Sequence, residues 1–255
     1  MTLNELSSFF NSFLKNEEYD RDISLNGVQV QNSAPDTKEI KKVAFAVDAC
    51  LETIKRTIQA DAQLLFTHHG IFWGSCDTIT GSHYNRIAAL IQNDVALYAS
   101  HIPLDANNLY GNNFGMASRL GLKDTQPFGT WRGMTLGAIG NLEKPLTADE
   151  LIAKAFPHGN HSLHLLPFGK EKLSRIAIIS GGAGEDVEQA IEAGADAFIT
   201  GEVGHEQYHV AEENGITLIA GGHYETETVG VQLVKAKLEA ETDVEGVFID
   251  VPTGL

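Results

Sequence analysis

At 255 residues, with 43% hydrophobic and 20% charged side chains, the chain can build one large core or two modest ones and has an ordinary globular composition. Its charge is less ordinary: 18 basic against 34 acidic residues leave −16 at neutral pH, which repels a phosphate backbone and argues against a nucleic-acid partner. Two cysteines, Cys50 and Cys76, exclude a disulfide framework and a CxxC metal knuckle.

The N-terminus lacks the basic region and apolar run of a signal peptide, and no apolar stretch nears the roughly 18 residues of a membrane span. A cytoplasmic protein with no membrane partner is expected, its thiols idle in a reducing compartment. Thr2 and Glu5 stand in capping-box spacing. Leu6, Phe9, Phe10, Phe13 and Leu14 follow at helical period, so the chain opens on an amphipathic helix packed on a core. Strand and helix then alternate: VAFAV (43–47) ending at Asp48, a helical pattern over 49–60, QLLFT (63–67), a helix near 84–93, and VALYAS (95–100). From about 126 to 170 the pattern changes. WRGMTLGAIGNL reads as a strand with glycine bends, Thr147 and Glu150 cap a short helix, and HSLHLLPF reads as a further strand. RIAIIS (175–180), DAFIT (196–200) and ITLIA (216–220) then alternate with helices, and GVFIDV (246–251) closes the chain. Such alternation predicts an α/β fold with a mainly parallel sheet.

The halves also resemble each other. Residues 54–70 parallel 187–205 as helix, turn, strand and polar loop, and 93–105 parallel 214–227, each of the latter pair ending His-x-x-x-acid. Two matches in the same order predict an internal duplication.

In open α/β sheets, ligands bind beyond the carboxyl ends of the strands. Three strands deliver metal-binding residue types there: His68 and His69 after QLLFT, His101 and Asp105 after VALYAS, and His223 and Glu227 after ITLIA. A lone histidine is usually a surface or core residue; four histidines and two carboxylates at equivalent strand ends are not explained that way. His223 and Glu227 are one helical turn apart and share a face. His68 and His69 are adjacent and expected to point apart, each towards a different ion, with Asp105 and Glu227 as bridging carboxylates. Imidazole and carboxylate without thiolate suit two divalent ions among Zn, Fe, Mn, Co and Ni, without choosing between them.

The blocks NGVQV (26–30), FTHHGIFWG (66–74), SHIPLD (100–105), TGEVGH (200–205) and GGHYETE (221–227) resemble, in order and across essentially the whole chain, those of the GTP cyclohydrolase 1 type 2 homologs, the Nif-three-like family. The resemblance implies two α/β domains with a dinuclear metal site in the cleft between them, ligands at His68, His69, His101, Asp105, His223 and Glu227, and a toroidal homohexamer. The family's frequent long insert between the halves is absent. Residues 1–125 with 222–255 are expected to form the domain carrying most ligands, and 126–221 the second.

Other motifs carry less. Glu202 and His205 lie within the TGE-x-x-H block and are the candidate catalytic pair, His205 as general acid/base or simply a helix cap. Asp48 either orients a ligand histidine or, by preference, caps the next helix. His158, His161 and His164 step by three, which on an extended segment alternates faces. SGGAGED (180–186) fits neither standard phosphate-loop spacing and lacks the lysine. Phe72 and Trp73 are expected to pack in the core. Two functions follow: a metal-dependent hydrolase acting on a small-molecule substrate, with GTP or another nucleotide suggested by the family name, or a non-catalytic metal-binding or metal-handling protein. A metal-activated hydroxide serves the first, and open coordination positions favour it.

Overall fold

The computed structural model describes residues 1–159 and 163–255. His161, the middle of the His-x-x-His-x-x-His run, lies outside them. In chain order the elements are α1 (Leu3–Leu14), β1 (Gly27–Val30), β2 (Lys42–Asp48), α2 (Leu51–Gln59), β3 (Leu64–His69), α3 (Gly81–Gln92), β4 (Ala96–Ala99), α4 (Ile102–Ala106), α5 (Asn112–Leu120), β5 (Lys123–Trp131) and β6 (Met134–Leu146). There follow α6 (Ala148–Ala155), β7 (His164–Pro167), β8 (Leu173–Ile178), α7 (Val187–Glu192), β9 (Ala197–Thr200), α8 (His205–Asn214), β10 (Thr217–Ala220), α9 (His223–Glu241) and β11 (Glu245–Phe248). The chain divides into two compact units, residues 1–104 with 231–251, and 105–230 with 252–255. These divisions fall inside α4 and α9.

The first unit holds a five-stranded sheet in the order β1-β4-β3-β2-β11. Its strands are parallel except β1, which runs antiparallel to β4. Parallel strands covered on both faces read as continuous apolar runs, and β2 is buried along nearly its whole length. Phe45, Phe66 and Tyr98 are register neighbours across β2, β3 and β4. Phe10 of α1 packs on them, with ring centroids 6.4, 4.9 and 5.1 Å away. The Thr2–Glu5 capping box is formed at the start of that helix. Ala44, Leu65 and Leu97, the preceding register set, pack with Ile54 of α2 and Ile87 and Leu90 of α3.

The second unit holds a six-stranded sheet in the order β5-β6-β8-β9-β10-β7. Strands β8, β9 and β10 are parallel, and the remaining pairings are antiparallel. Each unit therefore contains one run of three parallel strands in chain order, β2-β3-β4 and β8-β9-β10. In each, an antiparallel strand, β1 or β7, pairs with the third. Thr147 and Glu150 cap α6 as their spacing predicts. No helix among the described residues is long and apolar enough to cross a membrane.

Candidate metal centre

In the first unit the ligand-type residues sit where β3 and β4 end. His68 and His69 are the last two residues of β3, and His101 follows β4 by one residue. Each ring is held through Nδ1. That of His68 lies 3.0 Å from the Ser100 carbonyl oxygen, that of His69 2.8 Å from Asp48 Oδ1, and that of His101 2.9 Å from Asp22 Oδ1. A histidine whose Nδ1–H is spent on an oxygen acceptor presents Nε2 to a cation. The three residues offer ligand atoms all within 4.8 Å of one another. The His68 and His69 rings do not diverge as their adjacency suggests: their centroids are 4.6 Å apart. Asp48 on β2 and Ser100 after β4 flank β3 on either side and draw both rings to the strand end. Asp48 accordingly orients His69, and the N-cap of α2 is Cys50, whose Sγ accepts from the Thr53 N–H. Trp73 packs beside this group, its ring 5.8 Å from His69 and 5.1 Å from His101.

In the second unit His223 and Glu227 share one face of α9, His223 Nε2 lying 3.1 Å from Glu227 Oε1. His223 Nδ1 lies 2.5 Å from Glu202 Oε1, on the loop after β9. Burial by itself would lower the His223 pKa; Glu227 and then Glu202, one at each ring nitrogen, outweigh it and raise the value to about 9. A cation taking Nε2 must displace the proton held there. Asp105 is buried, and its Oδ1 accepts from Asn112 Nδ2 at 2.8 Å and Ser180 Oγ at 2.9 Å.

The SGGAGED loop has a structural reason here. Gly181 has φ +69°, and a Cβ on it would stand 2.4 Å from Glu227 Oε1 and 3.2 Å from His223 Nε2. Its amide donates to Thr226 Oγ1 at 3.1 Å, and its carbonyl accepts from the Gly201 and Glu202 amides at 2.9 and 3.0 Å. The glycines let three strand-end loops close upon one another behind the His–Glu pair, and no phosphate cradle is needed to account for them. His205, the other catalytic candidate, is the first residue of α8 and is exposed.

Sequence patterning missed Asp22, Ser100, Asn112 and Gly181 as supports of this chemistry. Only the glycine-rich run gave a signal. Asp22 is buried despite its polar loop: burial raises its pKa, but the His101 ring and the N–H groups around it more than compensate and hold it below the ordinary carboxylate value.

Imidazole and carboxylate donors without thiolate fit a borderline divalent cation, so the chain is an α/β protein with residue groups able to hold metal. The model of the Duf34/NIF3 (NGG1p interacting factor 3) family matches residues 1–254, and the chain belongs to that family. It is 42% identical over 290 residues to the GTP cyclohydrolase 1 type 2 homolog of Treponema pallidum, and 39% identical over 255 residues to that of Archaeoglobus fulgidus; both matches cover the whole of each chain. Among solved structures it is similar to the protein TTHA1606 from Thermus thermophilus, with 32% identity and a TM-score of 0.87, and to the protein ybgI, with 31% identity and a TM-score of 0.88. Both structural matches cover all of each chain.

Proposed function

We propose that His68, His69, His101, Asp105, His223 and Glu227 hold two divalent metal ions, and that the protein is a metal-dependent hydrolase of a small molecule, with a nucleotide such as GTP as the first substrate to try. The observation that carries this is the cluster of His68, His69 and His101, whose ligand atoms lie within 4.8 Å of one another while every Nδ1 is already engaged. Core histidines have no need of such convergence. Two ions, when bound, supply Lewis-acid activation of water for attack on an electrophilic carbon or phosphorus. They also add about +4 of charge locally, which offsets the acidic body for an anionic substrate.

In this proposal Asp48, Asp22 and Glu202 hold imidazoles in place, and His205, exposed at the start of α8, is the proton carrier. The name shared by the relatives supports GTP as a starting point but does not fix a substrate, since a fold hosts many reactions. The family resemblance further supports a toroidal homohexamer.

Elemental analysis of protein purified without added metal tests the site. Close to two ions per chain are expected, falling sharply in His223→Ala and Glu227→Ala. Full metal content in both variants overturns the ligand set. Turnover assays across nucleotides, phosphoesters and amides test the reaction. Metal-dependent product with at least one class is expected, and none with any class leaves a metal-binding protein without hydrolase activity.

A further inference from the structure

We infer that Asp22, from a loop far earlier in the chain, is the positioning residue that fixes the proton of His101 on Nδ1 and so leaves Nε2 free of hydrogen for a cation. The inference rests on the metal proposal for its purpose but not for its geometry. The Asp22 carboxylate is fully buried. Oδ1 accepts from the Ser24 amide at 3.0 Å and faces His101 Nδ1 at 2.9 Å. Oδ2 accepts from Asn26 Nδ2 at 2.8 Å and the Ile102 amide at 3.1 Å.

Ser24, Asn26 and Ile102 present N–H groups that can only donate, so both carboxylate oxygens are committed as acceptors. A lone pair on His101 Nδ1 would then face an oxygen that has only lone pairs. The ring must therefore carry its hydrogen there, and the neutral imidazole has none left for Nε2. The backbone is held from the same side: Asn26 Oδ1 accepts the His101 amide at 2.8 Å, and the Ile102 amide goes to Asp22 itself. One carboxylate thus sets the ring's tautomer and its place on the chain. NGVQV contributes through Asn26, and its neighbour Asp22 supplies the buried charge.

An amide cannot replace this carboxylate. In Asp22→Asn, an NH₂ at the Oδ2 position meets two donors. Placed at the Oδ1 position, it meets the Ser24 amide and forces His101 Nδ1 to accept, which moves the ring hydrogen to Nε2. The second arrangement disturbs fewer bonds.

The test is imidazole ¹⁵N NMR on metal-free protein, paired with metal competition against a chelator. In the parent protein His101 is expected as the Nδ1–H tautomer, and in Asp22→Asn as Nε2–H. Metal affinity is expected to fall about 10- to 100-fold in Asp22→Asn. Asp20→Asn removes the same charge from the same loop at an exposed position and is expected to change neither reading. A parent His101 protonated on Nε2, or an Asp22→Asn variant with unchanged tautomer or unchanged affinity, overturns the inference. The parent NMR reading stands even if Asp22→Asn fails to fold. A parent protein that shows Nδ1–H but takes up no metal supports the tautomer assignment and refutes the metal proposal, so the two failures are distinguishable.

Discussion

Glu202 Oε1 lies 2.5 Å from His223 Nδ1, which sets an exposed carboxylate behind an imidazole whose other nitrogen faces Glu227. A residue paired with His205 as a catalytic candidate is thus engaged in holding a ring. Glu202→Ala should keep the fold and weaken metal binding about 10-fold, as loss of an outer hydrogen-bond partner does. Chelator competition checks this, and unchanged affinity would assign Glu202 a different role.

Gly181→Ala should be far more damaging than a loop position suggests. The new Cβ would stand 2.4 Å from Glu227 Oε1 at a residue with φ +69°. We expect about 1–3 kcal/mol of lost stability from overpacking and backbone strain, and loss of bound metal. Urea unfolding and metal content read the two effects separately.

His205→Gln should leave metal content at the parent level, because the side chain is exposed on the first turn of α8. If the protein hydrolyses its substrate with His205 as proton carrier, the turnover number falls at least about 10²-fold, the smallest effect typical of a lost general acid or base. Full turnover in this variant would remove His205 from the reaction.

Asp196 should govern part of the acid stability of the second unit. It accepts from the Ser174 and Arg175 amides at 2.9 and 3.1 Å and from Lys170 Nζ at 2.6 Å. Burial raises its pKa, but these partners outweigh burial and hold it below the ordinary carboxylate value. A carboxylate depressed in the folded state stabilises fully above its unfolded value and loses that contribution as pH falls through the folded one. Asp196→Ala should therefore destabilise at neutral pH by about 1–3 kcal/mol and converge on the parent in strong acid. Denaturant titrations at neutral pH and in strong acid check the sign.

Phe10→Ala should cost about 3–5 kcal/mol by emptying the space between α1 and the Phe45, Phe66 and Tyr98 rings. Thermal unfolding measures it.

The legible parts of the fold were those written in local periodicity. VAFAV, QLLFT and ITLIA are short, apolar and flanked by turns, and each is a strand in the structure. The capping boxes at Thr2 and Thr147 mark true helix starts. Helix α5 left no such trace. Its sequence NNFGMASRL opens on two asparagines and carries a glycine in its first half, and its buried Asn112 and Asn113 are kept by Asp105 and by more distant partners, the Gly230 amide, the Leu136 carbonyl and the Ser180 amide. Strand β1 was hidden for a similar reason, since its burial is partial and its partner β4 lies far along the chain. At the candidate site, the ligand types at strand ends could be read from spacing. Asp22 could not, because nothing local distinguishes a buried aspartate in a polar loop from a solvated one.

His68, His69, His101 and His223 each have one nitrogen already tied, to Ser100, Asp48, Asp22 and Glu202. Side chains frozen in advance have little rotamer freedom left to lose when a cation enters. Such a scaffold imposes its own ligand spacing on whichever ion enters, so ions are selected by how well their size and geometry fit it as well as by supply. Loading in vitro should proceed without a slow refolding phase.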